Sequence, residues 1–362
     1  MRGPLRQAAL GGAVLIALLV APPATAKIPK PFFGVIAQGG VPSAEFKKMH
    51  AGRVGTLRFG ISWATVHPTQ SGGAHWAGVD NKILGAARNG IHVLPAIFGT
   101  PKWVQPCPHS EDYCRYKPPL ATHLALHRWQ SFLRRVAHRY GPGGTLWSNH
   151  PGVPRLPITR VQIWNEQNSV ARWKPKPSPR GYGRLLKASK RAIHAVNPRT
   201  EILTGGMFGT PHKSQSISAW GFLNRVYRVH HAKSAFDGIS LHPYSPNLYG
   251  IRYQVNHLRH SLRRHHDGRT PLYVSEIGWG SSRTPNRLTK GRRGQARMLR
   301  RSFHLFLHHR RAWHLRGVIW FSWRDHSAGI CSNWCASAGL FNESFQPKPS
   351  WYAYKSFTKK TG

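Results

Sequence analysis

Short apolar runs alternate with longer amphipathic segments along the chain, from about residue 30 to the C-terminus. Each apolar run has the length of a strand and is rich in the β-branched and aromatic residues that strands favour. Several are apolar at nearly every position, as in a parallel sheet that is buried on both faces. The predicted strands are residues 32–38, 56–63, 91–98, 159–166, 201–208, 236–244, 271–279 and 316–323.

The segments between these strands have the spacing of amphipathic helices. In RRGQARMLRRSFHLFLHHRR, Leu299, Phe303 and Phe306 fall on one helical face, and arginine and histidine fill the other. Eight strand-then-helix units without a long linker predict an α/β fold, a single-domain (β/α)8 or TIM barrel over residues 27–362. An open, doubly wound sheet is disfavoured, since the first turn lacks GxGxxG. The predicted helices are residues 43–51, 79–89, 121–140, 180–196, 219–233, 250–265, 289–309 and 349–359.

Residues 1–26 have the pattern of a secretory signal peptide. Arg2 and Arg6 precede an apolar core at residues 8–20, and the small-residue stretch ATA then ends at Ala26. The apolar core is too short to span a bilayer, and no second long apolar run occurs. We therefore expect cleavage near Ala26 and secretion of a mature protein without a transmembrane segment.

Four cysteines in an exported chain favour disulfides over free thiols. Their spacing predicts two local bridges, Cys107 to Cys114 and Cys331 to Cys335, although four cysteines allow three pairings. Neither pair has the two-residue spacing of a zinc ribbon, so a metal site is disfavoured.

The net charge of +42, from 53 Lys and Arg against 11 Asp and Glu, limits the classes of partner. It favours electrostatic attraction to anionic polymers. The basic residues concentrate on predicted outer helix faces without a base-stacking motif, so a solvated surface is favoured over a specific nucleic-acid site. The histidine doublets 230–231, 265–266 and 308–309 have no carboxylate at ligand spacing, and no metal site is predicted there.

Polar and aromatic residues mark the ends of the predicted strands. In a (β/α)8 barrel the catalytic residues lie at the carboxyl ends of the strands, which surround one mouth. Two glutamates are among them, Glu166 in RVQIWNEQN and Glu276 in PLYVSEIGW, although carboxylates are scarce in this chain. The other candidates at these ends are Arg58, Asn165, His242, Tyr244, Trp320 and Trp323.

Two carboxyl groups at one mouth suit the hydrolysis of a glycosidic bond. One protonates the leaving oxygen while the other attacks the sugar, and a separation of about 5 Å favours direct attack with retention of configuration. Arg58 and Tyr244 are placed to keep one carboxylate ionised. Asn165 offers an amide to a sugar hydroxyl, and Trp320 offers a flat face to a sugar ring. A helix-capping or ion-pairing role is the structural alternative for Glu166.

Taken together, these motifs resemble clan A glycoside hydrolases, which include families five and thirty-nine and the cellulase-like enzymes. The resemblance implies a retaining (β/α)8 enzyme with Glu166 as the acid/base and Glu276 as the nucleophile. It places Asn165 against the sugar 2-hydroxyl and Trp320 at the position of the clan's strand-eight tryptophan. The motifs that carry it, over nearly the whole mature chain, are RFG at 58–60, WNEQN at 164–168, HPY at 242–244 and SEIGW at 275–279.

Two long loops at the same end of the barrel are expected to wall the cleft. They are residues 100–119, after the third strand, and residues 322–341, after the eighth; each carries aromatic residues and one predicted bridge. Trp173, after the fourth strand, is a further candidate for stacking on a sugar.

These features predict a secreted, retaining glycoside hydrolase that cleaves a β-linked glycoside or polysaccharide by double displacement, without a metal or cofactor. Two alternatives stay open. The first is a barrel without activity that binds polysaccharide or anionic wall polymer. Replacing either glutamate would then leave its function unchanged. A secreted polyanion-binding protein would show binding with a steep dependence on salt.

Overall fold

The computed structural model describes Gly3, residues 28–326 and residues 333–361. The predicted signal peptide over residues 1–26 lies outside the described residues apart from Gly3, and so does Cys331.

A parallel sheet curls into a barrel at the centre of the described chain. Its strands follow the order β5-β4-β3-β2-β1-β9-β8-β7-β6, and helices alternate with them along the chain. The predicted (β/α)8 class is confirmed. The strands are β1 Phe33–Ile36, β2 Thr56–Ser62, β3 His92–Phe98, β4 Arg160–Ile163, β5 Glu201–Thr204, β6 Met207–Phe208, β7 Ile239–His242, β8 Leu272–Ile277 and β9 Leu315–Trp320.

The barrel closes through β5 and β6, which are two halves of the single strand predicted over residues 201–208. β5 pairs with β4, β6 pairs with β7, and a bridge between Leu203 and Gly238 joins the two sides. The strand is interrupted at Gly205 and Gly206, and these two glycines form the closing seam of the barrel.

Both seam glycines are required by what lies beside them. A Cβ at Gly205 would stand 2.3 Å from Oε1 of Gln167, and a Cβ at Gly206 would stand 1.9 Å from Nε2 of His242. Because neighbouring polar side chains already fill the space of a Cβ, the seam admits no larger residue without displacement.

The helices surround the barrel, and all eight predicted helices form. Most end within a few residues of the prediction, but α8 ends early and a separate 3-10 turn, Lys233–Ala235, follows it. The helices are α1 Ser43–Ala51, α2 Trp63–Val66, α3 Ala77–Arg88, α4 Glu111–Arg115, α5 His123–Tyr140, α6 Thr145–Ser148, α7 Pro179–His194, α8 Ala219–Val226, α9 Leu248–Arg264, α10 Gly291–His308 and α11 Pro349–Thr361. Among the described residues, no helix has the length and apolarity needed to cross a membrane.

The main hydrophobic core fills the layer between the barrel and the helices. Phe33 of β1 stacks on Phe303 of α10 with ring centroids 4.7 Å apart, and Trp320 of β9 meets the same ring edge-on. Because successive strand residues face opposite sides, Ile319 and Phe321 belong to a separate cluster that includes Tyr244. This alternation fixes which strand residues can reach the mouth.

Candidate active site

The two glutamates predicted from the sequence meet at the carboxyl end of the barrel. Glu276 is the second-last residue of β8, Glu166 follows β4, and His242 is the last residue of β7. One carboxylate oxygen of each glutamate and one ring nitrogen of His242 lie within 4.8 Å of one another. That spacing is in the range of retaining glycosidases, about 5 Å, and shorter than the spacing that leaves room for an intervening water.

Glu276 is the more buried of the pair, at 7% exposed. Arg58 donates from Nη1 to its Oε1 over 2.5 Å, and the Tyr244 hydroxyl donates to its Oε2 over 2.7 Å. Burial raises the pKa of Glu276, but the charges of His242 and Arg58 and the hydrogen bonds from Tyr244 and Arg58 lower it by more. The resulting pKa lies below the ordinary value for glutamate, so this carboxylate is ionised and suited to be a nucleophile.

Arg58 uses the whole of its guanidinium at this site. Besides Glu276, it donates from Nε to Oε1 of Gln162 over 2.5 Å and from Nη2 to Oδ1 of Asn165 over 2.7 Å. The planar guanidinium fixes the relative positions of Gln162 in β4, Asn165 just after β4 and Glu276 in β8. The hydrogen bond from Arg58 orients the Asn165 amide, and the predicted contact of that amide to a sugar hydroxyl stays a prediction.

His242 lies between the two carboxylates and is fully buried. Its Nδ1 is 3.0 Å from Oε1 of Glu166, and its Nε2 is 3.6 Å from Oε1 of Glu276. The ring therefore contacts the acid/base candidate directly.

Glu166 reaches the mouth through a reversal of the backbone after β4. Trp164 and Glu166 have φ angles of +72° and +49°, which a continuing strand cannot hold, and this is why β4 is shorter than predicted. The Glu166 amide donates to the carbonyl oxygen of Gly206 over 2.9 Å. A strained backbone held by its surroundings is common at functional sites.

Two residues beside Glu166 were missed by the sequence analysis. Nε of Arg172 is 3.8 Å from Oε2 of Glu166, and the Arg172 guanidinium lies over the Tyr116 ring, 4.8 Å from its centroid, and donates to the Tyr116 hydroxyl. Tyr116 comes from the loop after β3 and Arg172 from the loop after β4. Their contact depends on how two loops pack together, and no local sequence motif predicts it.

Trp320 and Trp173, both predicted to stack on a sugar, lie in the core instead. Trp320 is fully buried, donates to the carbonyl oxygen of Ala338 over 3.2 Å and faces the helix layer. Trp173 is 2% exposed and packs edge-on against Trp164 and Tyr182. The structure does not bring either ring to the mouth. The reason for Trp320 is strand alternation, since the next residue along the strand is the one that turns inward.

Other aromatic rings surround Tyr244 at the mouth. Trp334 lies edge-on to it with ring centroids 4.8 Å apart, Phe208 is 5.7 Å away, and Phe321 is 6.2 Å away. Trp334 is partly exposed and belongs to the loop after β9. The aromatic content of that loop was the signal that could have identified it as a stacking candidate.

The loop after β3 contains the predicted disulfide between Cys107 and Cys114, which is confirmed. Tyr116 lies two residues after the second cysteine, and its hydroxyl accepts a hydrogen bond from Arg172. The second predicted bridge includes Cys331, outside the described residues, and stays a prediction together with Cys335.

Glu166, His242 and Glu276 could in geometric terms also hold a metal ion. The oxygen of Glu276 that is nearest to His242 is the same one that accepts from Arg58 at 2.5 Å. A cation bound there would stand beside a guanidinium, and that repulsion disfavours the metal-site interpretation.

No protein-family model and no curated protein matches the chain in sequence. Solved structures do match it. A family 39 glycoside hydrolase from the gut symbiont Bacteroides cellulosilyticus WH2 matches with a TM-score of 0.65 at 20% identity, over 91% of this chain and 64% of that one. The chain has the fold of these hydrolases. A monomeric beta-xylosidase from Caulobacter crescentus CB15 matches with a TM-score of 0.66 at 18% identity, over 93% of this chain and 70% of that one.

A native xylanase 10B from Thermotoga maritima also matches, with a TM-score of 0.59 at 17% identity, over 91% of this chain and 95% of that one. These matches agree with the resemblance to clan A, family thirty-nine included, at the level of the fold. The chain spans 64% of the length of the first of these proteins, which is less than two thirds.

Proposed function

We propose that the mature chain is a secreted, retaining glycoside hydrolase that cleaves a β-linked glycoside or polysaccharide. The observation that carries the proposal is the pair Glu166 and Glu276, which has oxygens within 4.8 Å at the carboxyl end of the barrel. The known hydrolases with the same fold support the class of reaction, and the spacing supports retention.

The proposed reaction has two displacement steps. In the first, an oxygen of Glu276 forms a bond to the anomeric carbon as the bond to the leaving oxygen breaks, and Glu166 gives its proton to that oxygen. In the second, Glu166 takes a proton from water, and the water oxygen displaces Glu276 from the sugar. Each carboxyl returns to its starting state.

The surroundings of the two glutamates support these different roles. Arg58 and Tyr244 both donate to Glu276, which stabilises its charge before attack. Glu166 accepts no hydrogen bond from either of them, and its contacts are with His242 at 3.0 Å and Arg172 at 3.8 Å. Two titratable groups in distinct environments are the usual arrangement for one acid and one nucleophile.

The test is hydrolysis of aryl β-glycosides and of β-glucans, xylans and mannans by residues 27–362. Replacing Glu276→Ala should lower kcat roughly 10³-fold or more, and added azide should restore turnover as a glycosyl azide of inverted configuration. Glu276→Gln keeps the side-chain volume, so it tests the loss of the carboxylate if Glu276→Ala fails to fold. Glu201→Ala, which removes a carboxylate at the start of β5, is the matched control and should stay active.

The rival is a barrel without activity that binds polysaccharide or anionic polymer. It would be favoured if the folded wild type cleaved none of these substrates, or if activity persisted undiminished in Glu276→Ala.

A further inference from the structure

A basic cavity lies beside the loop between β8 and α10, and neither Glu166 nor Glu276 lines it. It has a volume of about 810 Å³, and its cationic lining consists of Arg283, Lys290, Arg292, Arg293 and Arg297. The two loop residues and the first turns of α10 thus surround one concave space. We call it the basic cavity.

Five basic side chains, four arginines and one lysine, line the basic cavity. In the part of the chain that the structure describes, none of the five forms an ion pair with a carboxylate. Like charges on a concave surface repel one another and concentrate counter-ions. The α10 amino terminus adds positive potential at the same place. An anion bound in this space would reduce that repulsion.

One residue of the basic cavity, Arg292, also acts on a nearby buried amine. Lys348 is 2% exposed and donates to Oδ1 of Asp325 over 2.7 Å. Burial lowers the pKa of Lys348 to about 8 against the attraction of Asp325, and the positive charge of Arg292 adds to the lowering.

The wall of the basic cavity is continuous with the wall of the mouth. Ser281, which lines the cavity, donates its amide to the carbonyl oxygen of Ser337 over 2.9 Å. In the same segment, Trp334 packs on the ring of Tyr244, which in turn donates to Glu276. The cavity therefore opens from the loop that follows the nucleophile strand, at the active end of the barrel.

From this juxtaposition we propose that the basic cavity binds an anionic group of an acidic saccharide whose neighbouring residues occupy the mouth. The group is a carboxylate or a sulfate or phosphate ester, which arginines bind through charge-assisted, bidentate hydrogen bonds. The proposal rests on the proposed function for its choice of a saccharide, and it narrows the substrate class to charged glycans. The sequence alone favoured a solvated surface for these basic residues, since it could not show that four arginines and Lys290 line one cavity.

The test measures the binding of short saccharides by calorimetry in 0.15 M salt, a condition that screens diffuse attraction over about 8 Å. The probes are a tetramer of β-linked glucuronic acid, a sulfated cellotetraose and uncharged cellotetraose, so that all three share a β-linked backbone. The pair R292S and R293S empties the cavity of two cations. R263S and R264S, in the last turn of α9 and equally exposed, remove the same charge from the opposite end of the barrel.

We expect at least one anionic tetramer to bind wild type and the uncharged one not to bind. The cavity variant should lose about tenfold or more in affinity and the control variant less than about twofold. The tighter of the two anionic probes identifies carboxylate or ester as the group bound. Equal losses in both variants, or equal binding of charged and uncharged tetramers, would overturn the proposal.

Hydrolysis of an uncharged aryl glycoside separates this proposal from the proposed function. The cavity variant should keep the wild-type kcat/KM on that substrate, because its arginines contact neither glutamate. Selective anion binding without any hydrolysis would reject the proposed function but support anion binding in the basic cavity. Hydrolysis without selective anion binding would support the proposed function and reject anion binding in the basic cavity.

Discussion

Among the described residues, the hydroxyl of Tyr244 is the one neutral side-chain donor to the proposed nucleophile. Tyr244→Phe removes a hydrogen bond that lowers the pKa of Glu276, so that pKa should rise toward its ordinary value. The acid limb of the kcat/KM profile, where Glu276 takes up a proton, should therefore move to higher pH. At pH 4.5, close to that ordinary value, protonation alone should lower the rate up to about twofold, and the loss should grow as the pH falls further.

The measurement is kcat/KM against pH with an aryl glycoside. Tyr273→Phe is the control, because its hydroxyl contacts Glu201 rather than either site glutamate. An unchanged acid limb in Tyr244→Phe would contradict the role given to this hydroxyl.

Glu166 is tested by the leaving group that it is proposed to protonate. With Glu166→Gln, aryl glycosides with acidic phenols should lose little in kcat/KM, since such phenols leave without protonation. Glycosides with poor leaving groups should lose roughly 10²- to 10⁴-fold, the usual contribution of a general acid. The measurement is kcat/KM over a series of phenols, and an equal loss across the series would show that Glu166 is not the acid.

Among the elements, the broken strand formed by β5 and β6 links closure of the barrel to the site. Gly206→Ala places a methyl group where Nε2 of His242 now lies, 1.9 Å from the ideal Cβ. Either the histidine or the seam must move, and overpacking of this kind destabilises by about 1–3 kcal/mol. We expect a lower melting temperature together with at least about a tenfold loss in kcat/KM.

Gly152→Ala is the matched control, because a Cβ at Gly152 meets nothing within 4 Å. Thermal unfolding and kinetics of both variants would check the expectation. A fully active, fully stable Gly206→Ala would show that the seam adapts without disturbing His242.

At the scale of the whole molecule, we expect histidine protonation to make the free energy of unfolding depend on pH. Burial lowers the pKa of several histidines below the unfolded value of about 6.5, namely His67, His92, His265, His309 and His314. The unfolded chain therefore binds more protons as the pH falls through that value, and the free energy of unfolding decreases. Protonation of 23 histidines also adds to a net charge of +42.

We expect the melting temperature to fall between pH 7.5 and pH 5, and to fall less in 0.5 M than in 0.05 M salt, because salt screens the repulsion. Scanning calorimetry at the two salt concentrations measures both effects. A melting temperature that is constant across this range would exclude the histidine contribution.

The sequence predicted the fold and the central residues of the candidate site, for a physical reason. Strand and helix periods are local, and in a barrel every strand end reaches the same mouth, so the order of strands alone brings Glu166 near Glu276. It failed where side chains of separate loops meet, as with Arg172 and Tyr116. The prediction also failed where an offset of one residue along a strand turns a side chain to the opposite face of the sheet, as with Trp320 and Phe321. Gln162 was detectable, as a polar residue inside an apolar strand.

The Arg58 fork has a consequence for how this barrel can evolve. Arg58 is 2% exposed and joins side chains from two other strands, so losing Glu276 alone would leave a buried guanidinium without its counter-charge. Breaking such a pair on one side costs about 3–5 kcal/mol, whereas replacing both partners by apolar residues can be neutral. A lineage that abandons this chemistry would therefore change positions 58 and 276 together, and relatives that differ at one should differ at the other.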